Sequence, residues 1–215
     1  MLDFSEIKET LYTAVISDAL DSLGYRNQAI TVQFKAYTGD LKLVGRCKTT
    51  LWADVYNEDK NPYELELQAV DSCVDGDVLI CAAGGSMRSG IWGELLSTAA
   101  QNSGCAGAIV HGAIRDIRKM TDMQFPVFAT GQCPYDSLHR QKVIDADIPV
   151  EISGVIIHPG DIVFADEDGI VIIPQKVEVE AIKFAFQKVR AENITRDAIK
   201  AGMKATAAYE KYGVL

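Results

Sequence analysis

The feature that most constrains the fold of this chain is the segment from Gly93 to Asp116, GELLSTAAQNSGCAGAIVHGAIRD. Residues 94–101 are good helix formers, and Gly104 is a natural stop for a helix that begins near Gly93. The apolar run over 106–110 that follows is typical of a buried strand in an α/β unit. The segment therefore predicts a helix that leads into a buried strand, and with it an α/β fold.

Both ends of this segment carry groups that bind anions or metals. The first turn of a helix has N–H groups without internal partners, and Gly93 lets a ligand come close to them. Arg115 offers a planar set of donors that matches a carboxylate or an enolate oxygen, and Asp116 offers the hard oxygen ligand that Mg²⁺ or Mn²⁺ takes. Taken alone, Gly93 fits an ordinary helix start, and Arg115 and Asp116 fit solvated ion pairs with neighbouring residues. The combination favours a binding site.

Apolar and alternating runs predict the other strands, and helix-forming runs predict the elements between them. We expect a helix over 4–23, a loop over 83–93 because of its repeated glycines, and a C-terminal helix over 176–211. The strands are predicted near 43–53, 77–82, 106–111, 126–130, 148–152, 155–157, 162–166 and 169–173, and the other helices near 63–71, 93–103 and 116–123. The length favours one domain over 1–215, with a C-terminal helical extension from about residue 176.

The charge balance argues against one class of function. The net charge is −9, whereas direct nucleic-acid binding needs a basic face, so we expect no nucleic-acid partner. No apolar run reaches the length of a membrane span, the first residues lack a leader pattern, and the five cysteines lack CxxC spacing. We therefore expect a cytoplasmic protein with reduced cysteines and no membrane contact.

Three further features have weaker functional interpretations. The glycine-rich run 84–90 lacks the Gly-Lys-Ser/Thr ending of a P-loop, so we interpret it as a flexible wall of the site, with Arg88 available for a second carboxylate. The acidic run 166–168 before Gly169 predicts a hairpin turn rather than a metal site. His111 fits either a contact with substrate or a hydrogen-bonded structural role at a strand end.

The chain resembles the RraA-like family, which includes the ribonuclease E activity regulators and the 4-hydroxy-4-methyl-2-oxoglutarate / 4-carboxy-4-hydroxy-2-oxoadipate aldolases. That family carries an acidic residue, twenty intervening positions and then Arg-Asp, and Glu94 and Arg115 have this spacing. Other segments that look like family motifs are SDALDSLG at 17–24, GDVL at 76–79, PGDIV at 159–163, ADEDGIV at 165–171 and YEKYG at 209–213. The resemblance implies an α/β fold with a swivelling β/β/α core and helices at both termini.

The resemblance also implies a function, that of a divalent-metal-dependent lyase of the class II aldolase type. Such an enzyme cleaves a C–C bond in a pyruvoyl acid, for example 4-hydroxy-4-methyl-2-oxoglutarate, and oxaloacetate decarboxylation is a natural companion activity. The small-molecule partner is then a keto acid, and the cofactor is Mg²⁺ or Mn²⁺.

The family's site residues carry over to matching positions of this chain. In the aldolases that it resembles, the backbone after the helix-start glycine binds the pyruvoyl carboxylate, the Arg binds substrate and the Asp holds the metal. The implied substrate-binding residues are Gly93, Glu94, Leu95, Leu96 and Arg115, the metal residues are Asp116 and Glu94, and the catalytic residues are Arg115, Asp116 and Glu192. Glu192 would reach the site of a neighbouring subunit in a homotrimer or homohexamer, although a solvated helix face explains this residue equally well.

One position departs from the family pattern. Members with aldolase or decarboxylase activity often carry Glu or Asp three residues after the Asp of Arg-Asp, and Lys119 stands there. Loss of an outer-shell partner changes metal affinity or activity by roughly 10- to 100-fold, and Asp122, one helical turn beyond, is placed to compensate in part. The alternative function is that of a non-catalytic regulator, like the family's namesake, which binds a ribonuclease or helicase through an acidic surface.

Overall fold

The computed structural model describes residues 2–39 and 42–214, in which helices and strands alternate along most of the chain. The helices are α1 (Phe4–Thr10), α2 (Thr13–Ser22), α3 (Glu64–Asp71), α4 (Glu94–Asn102), α5 (Ile117–Met123), α6 (Glu178–Lys200) and α7 (Ala205–Tyr212). The strands are β1 (Ala29–Ile30), β2 (Lys35–Thr38), β3 (Leu43–Asp54), β4 (Asp77–Ala82), β5 (Gly90–Trp92), β6 (Gly107–Ile114), β7 (Val127–Gln132), β8 (Gln141–Ala146), β9 (Val150–Ile152), β10 (Val155–Ile157), β11 (Ile162–Ala165) and β12 (Ile170–Ile173).

Ten of these strands form one mixed sheet. Its order is β1-β12-β11-β3-β4-β6-β7-β2, and β5 pairs with β6 and β8 with β3 at the side of this path. The central strands β3, β4, β6 and β7 run parallel, whereas β1, β2, β8, β11 and β12 pair antiparallel. β9 and β10 form a separate hairpin. The predicted α/β class is confirmed.

The central strands β4 and β6 are largely apolar because both of their faces are covered, as in other parallel sheets. Val110 of β6 and Leu79 of β4 pack in one core with residues of α3, α4 and α5. Ile109 and Phe128 face the β9–β10 hairpin on the opposite side of the sheet. A third core joins α1, α2 and α6 to β11 and β12 around Phe164. Layers on both faces thus hold the carboxyl ends of the parallel strands in fixed positions.

The helix predicted over 4–23 is two helices. Leu11 and Tyr12 have extended backbones, with ψ of 169° and 160°, and Leu11 is fully buried. The second helix begins at Thr13, whose amide and hydroxyl donate to the buried carboxylate of Asp166 at 2.8 and 2.6 Å. The predicted hairpin turn at 166–168 is confirmed by the β11–β12 pairing, but Asp166 also caps α2.

The other differences from the prediction lie in short or interrupted elements. The C-terminal helix predicted over 176–211 divides into α6 and α7, with Gly202 between them at φ 99°. The prediction missed β1, β2 and β8, and the loop predicted over 83–93 contains β5. None of these four strands contains an apolar run as long as that of β4. Within the described residues, no helix combines the length and the apolar character that a membrane crossing requires.

Candidate active site

Two parallel strands end side by side and bring Gly93 and Arg115 to the same edge of the sheet. β5 pairs with the end of β6, where Trp92 lies opposite Ile114. Gly93 is the next residue after Trp92 and Arg115 the next after Ile114, and the Arg115 amide donates to the Trp92 carbonyl at 2.9 Å. The helix start and the Arg-Asp pair therefore meet through backbone pairing, at the carboxyl end of the sheet where α/β proteins hold their ligands.

A cleft of about 260 Å³ opens at this edge. It is lined by Tyr63, Glu66, Leu67, Gly90, Ile91, Gly93, Leu95, Leu96, Arg115, Asp116 and Asp136. Five of the predicted site residues are in this set, and the side chain of Glu94 is not. The volume is near the lower limit for small-molecule sites, roughly 300 Å³, and suits a small acid.

Gly93 is required by the close approach of Asp116. A Cβ atom at position 93 would lie 2.7 Å from Oδ2 of Asp116 and 3.3 Å from Cγ of Arg115. The backbone of Gly93 is extended, with φ −158°, so the glycine serves space rather than backbone conformation. This contact places the carboxylate of Asp116 directly against the start of α4.

Asp116 is positioned by an unusual backbone conformation. It lies in the left-handed region, with φ 57°, immediately before α5. Its Oδ2 accepts a hydrogen bond from the Glu94 amide at 3.3 Å, so the carboxylate lies at the positive end of the α4 dipole. The amides of Leu95 and Leu96 are also first-turn donors, which have no partner within a helix. A negatively charged ligand would find these donors at the cleft.

Arg115 is held by a second carboxylate. Its Nη2 lies 2.7 Å from Oδ2 of Asp136, and the Tyr63 hydroxyl donates to Oδ1 of the same residue at 2.8 Å. Burial alone would raise the pKa of Asp136, but hydrogen bonds from the Leu138 amide, Tyr63 and Arg115 outweigh it and lower that pKa. Burial and the neighbouring Asp136 raise the pKa of Tyr63 to about 12. The side chain of Arg115 remains 34% exposed, so it can still contact a ligand.

Glu66 is a buried acid at the wall of the cleft. It is 7% exposed, and its Oε2 is buried without a hydrogen-bond partner. Burial, and after it the charge of Asp136, raises the pKa of Glu66 to about 8, while Arg115 acts in the opposite direction. At neutral pH this carboxyl group is mostly protonated.

Sequence reasoning missed Tyr63, Glu66 and Asp136. A signal existed for Glu66, since it precedes Ala69 and Val70 by three and four residues and so shares their buried face of α3. A carboxylate on an apolar helix face is a candidate functional group. Asp136 follows β7 in a loop, and no periodicity marks it.

Glu192 lies outside the cleft of its own chain. It accepts a hydrogen bond from the Tyr12 hydroxyl and lies 3.6 Å from Nη2 of Arg196. With Tyr12, Thr195 and Arg196 it lines a different cavity, of about 430 Å³. Its contribution to a neighbouring copy of the chain stays a prediction.

Lys119, the departure from the family pattern, and Asp122 both lie outside the cleft lining. Lys119 is exposed on α5 and does not line the cleft. Asp122, which the sequence offered as compensation, is paired with Arg118 at 3.3 Å on the exposed face of the same helix. Neither residue lines the cleft that contains Asp116.

Arg88 and His111 also lie elsewhere. The guanidinium of Arg88 lies over the ring of Tyr56, 4.1 Å from its centre. The ring of His111 lies 6.1 Å from that of Phe34, and its Nδ1 is buried without a hydrogen-bond partner. Neither residue lines the cleft, and His111 is not the hydrogen-bonded strand-end residue that the sequence suggested as an alternative.

Metal ligands are sparse in the described part of the chain. Over residues 2–39 and 42–214, no group of three or more His, Cys, Asp or Glu side chains is arranged to hold a metal ion. A site built on Asp116 would therefore use at most two protein carboxylates, which is within the range that Mg²⁺ accepts, because this ion usually keeps several waters.

Comparison with known proteins identifies the family. A family model described as RraA-like: Aldolase/RraA matches residues 13–172. The chain belongs to the RraA-like family. The RraA-like chain is 30% identical over 156 residues to the 4-hydroxy-4-methyl-2-oxoglutarate aldolase of Thermus thermophilus. This match covers 73% of the chain and 90% of the relative. It is 29% identical over 201 residues to Protein DlpA of Legionella pneumophila, covering 93% of this chain but only 32% of DlpA. The chain thus spans about a third of DlpA.

A solved structure agrees with the family assignment. Streptomyces coelicolor RraAS2, described as an unusual member of the RNase ES inhibitor RraA protein family, matches with a TM-score of 0.76 and 28% identity. The match covers 89% of this RraA-like chain and 96% of RraAS2. The predicted RraA-like fold is confirmed. Relatives of this protein thus include both an aldolase and a member of a ribonuclease-inhibitor family.

Proposed function

We propose that this protein is a divalent-metal-dependent lyase that cleaves a C–C bond in a pyruvoyl acid. The proposed reaction is retro-aldol cleavage of 4-hydroxy-4-methyl-2-oxoglutarate to pyruvate, with oxaloacetate decarboxylation as a companion activity. The observation that carries the proposal is the convergence of the α4 start, Arg115 and Asp116 on one cleft. The aldolase-named relative supports an enzyme of the lyase class.

The chain's own groups can bind a keto acid and stabilise its cleavage. The first-turn amides of α4, at Leu95 and Leu96, favour the carboxylate of the acid. Arg115 donates to the 2-keto oxygen, which becomes an enolate oxygen as the C–C bond breaks. Because the negative charge on this oxygen grows toward the transition state, the guanidinium stabilises that state more than the bound substrate. Asp136 and Tyr63 keep the guanidinium in place.

Asp116 fits the role of the metal-holding residue. Its side chain is 44% exposed and its carboxylate lies beside the proposed position of the acid. A bound Mg²⁺ or Mn²⁺ would supply Lewis-acid polarisation of the keto acid. Glu94, whose amide contacts Asp116, is proposed to support the water shell of the ion.

The test uses protein stripped with a chelator and assayed for pyruvate by NMR. After subtraction of the rate with the same metal and no protein, oxaloacetate and 4-hydroxy-4-methyl-2-oxoglutarate should give pyruvate only when Mg²⁺ or Mn²⁺ is restored. Arg115→Ala and Asp116→Ala should lower kcat/KM by about 100-fold or more, as loss of one group that stabilises an oxyanion does. Arg118→Ala, three positions beyond Arg115 and 90% exposed, is the matched control and should keep full activity.

A direct measurement of metal binding separates the two roles. Titration of Mn²⁺ followed by electron paramagnetic resonance should show weaker binding in Asp116→Ala and unchanged binding in Arg118→Ala. Metal-independent pyruvate formation, or full activity in Arg115→Ala, would contradict the proposed function.

The second candidate is a non-catalytic regulator that binds a ribonuclease or helicase. The likeness to RraAS2, the net charge of −9 and the exposed Lys119 favour it. Absence of pyruvate from both acids with either metal, together with inhibition of a purified ribonuclease at stoichiometric protein, would support this candidate over the lyase.

A further inference from the structure

Glu66 is a buried acid that lines the cleft. The residue lies on α3 and lines the same cleft as Arg115 and Asp116. It is more than nine-tenths buried, and its Oε2 has no hydrogen-bond partner. Buried polar atoms in native proteins almost always have a partner, so an orphaned oxygen at a cleft indicates one that arrives with a ligand.

Charged and titratable groups from several elements surround Glu66. Asp136 and Arg115 face it with opposite charges, and Tyr63 and Asp116 line the same cleft. On the sheet side lies the buried thiol of Cys81, and the charge of Glu66 contributes to raising the pKa of this thiol. Burial is the dominant influence, and it favours the neutral carboxylic acid. Glu66 therefore holds a proton at a buried position where Arg115 offsets a negative charge only in part.

Glu66 differs from the other acidic groups that line the cleft. Asp136 is ionised between Arg115 and Tyr63, and Asp116 accepts a hydrogen bond from a helix-start amide. The hydroxyl proton of Tyr63 is committed to Asp136, and the pKa of Tyr63 is raised to about 12. A general acid works best when its pKa lies near the working pH, and Glu66 meets this condition with a pKa of about 8.

We propose that Glu66 is a further catalytic residue, whose carboxylic acid protonates the C3 carbon of the pyruvate enolate after the C–C bond has broken. This assignment rests on the proposed function. For oxaloacetate, the bond from C3 to the departing carboxylate breaks, carbon dioxide leaves, and the electron pair enters the enolate. The O–H bond of Glu66 then breaks, a C3–H bond forms, and the keto group returns. The Glu66 carboxylate regains its proton from water.

The experiment follows the C3 proton directly. Wild-type protein with Mg²⁺ is incubated with pyruvate in D₂O, and loss of the methyl signal is measured by proton NMR. The same samples are assayed for carbon dioxide release from oxaloacetate. Glu66→Gln should slow C3 exchange by about 100-fold or more, the contribution typical of a positioned general acid. Carbon dioxide release should fall less, because bond cleavage precedes protonation.

Glu64→Gln is the matched control. Glu64 lies on the same helix two residues earlier, is exposed and does not line the cleft, so its variant should exchange C3 protons at the wild-type rate. Wild-type exchange in Glu66→Gln, with carbon dioxide release intact, would overturn the role of Glu66 and leave the lyase standing. Absence of both exchange and carbon dioxide release in wild-type protein would overturn the lyase and this role together.

A carboxyl titration without substrate or metal distinguishes loss of the Glu66 acid from a folding defect. In metal-free protein labelled with ¹³C at glutamate carboxyls, wild type and Glu64→Gln should each show one carboxyl that titrates near pH 8. Glu66→Gln should lack that titration while keeping the unfolding midpoint and the other carboxyl signals. Titration of every glutamate near its ordinary pKa would overturn the proposal.

Discussion

Space at position 93 links the start of α4 to Asp116, the proposed metal-holding residue. The Gly93→Ala methyl group would lie 2.7 Å from Oδ2 of Asp116, closer than real Cβ contacts allow. Because an extended backbone with φ −158° suits alanine, we expect the fold to remain and Asp116 to be displaced. Mn²⁺ affinity and pyruvate formation should both fall by about 10-fold or more, the effect of disturbing a site by roughly 1 Å. Wild-type affinity in a folded variant would contradict this contact.

The buried acid of Glu66 makes stability depend on pH. Its folded pKa of about 8 lies above the value near 4.3 of an unfolded chain, so the folded state holds the proton more tightly. The free energy of unfolding should therefore fall as pH rises from about 4.5 to 8, by on the order of 1 kcal/mol per pH unit. Glu66→Gln cannot ionise and should lose this dependence, whereas Glu64→Gln should keep it. Urea unfolding at pH 5, 6.5 and 8 measures the slopes, and equal slopes in all three proteins would be the contrary result.

Individual residues differ in how far the sequence reveals them. Arg115 and Asp116 were predictable because they follow an apolar strand directly, where ligand-binding groups concentrate. Asp136 was not, because a loop has no periodicity and its contact with Arg115 joins distant parts of the chain. Glu66 lies between these cases, since its helix face was predictable but the depth of its burial depends on neighbours that only the fold supplies.

At the scale of elements, a three-residue strand decides the geometry of the site. The repeated glycines around β5 predict a loop, and the strand forms through its pairing with β6. This pairing puts Gly93 beside Arg115. β4 was predicted closely, because it is buried along its whole length and its residues 78–82 form a continuous apolar run. The three-residue β5 is too short to leave a comparable local pattern.

The start of α2 shows how a turn residue can stabilise a remote helix. The buried carboxylate of Asp166 accepts from the Thr13 amide, the Thr13 hydroxyl and the Asp168 amide. Asp166→Ala leaves these donors without a partner, so it should lower the free energy of unfolding by about 2–4 kcal/mol. Glu167→Ala, at the exposed neighbouring position, should change it by less than about 0.5 kcal/mol. Urea denaturation compares the two, and similar losses would argue against the cap.

For the whole molecule, the C-terminal helices α6 and α7 carry apolar side chains that are exposed in a single copy of the chain. Val179 and Ile194 of α6 are 64% and 57% exposed, and Tyr209 of α7 is 55% exposed. Glu192 lies on the same helix and outside the cleft of its own chain. In the homotrimer or homohexamer that the sequence predicts, Glu192 would serve the site of a neighbouring copy.

Complementation between two inactive variants tests this arrangement. Asp116→Asn removes the proposed metal-holding carboxylate, and Glu192→Gln removes the carboxylate proposed to serve a neighbour, so each homo-oligomer should be nearly inactive. Co-expressed with different affinity tags and purified through both, the mixed oligomers should recover up to about a quarter of wild-type activity, because random assembly unites one intact Asp116 with one intact Glu192 at that frequency. If Glu192 acted within its own chain, every mixed site would still lack one of the two groups and no activity would return. Light scattering on the same sample gives the number of copies that share the sites.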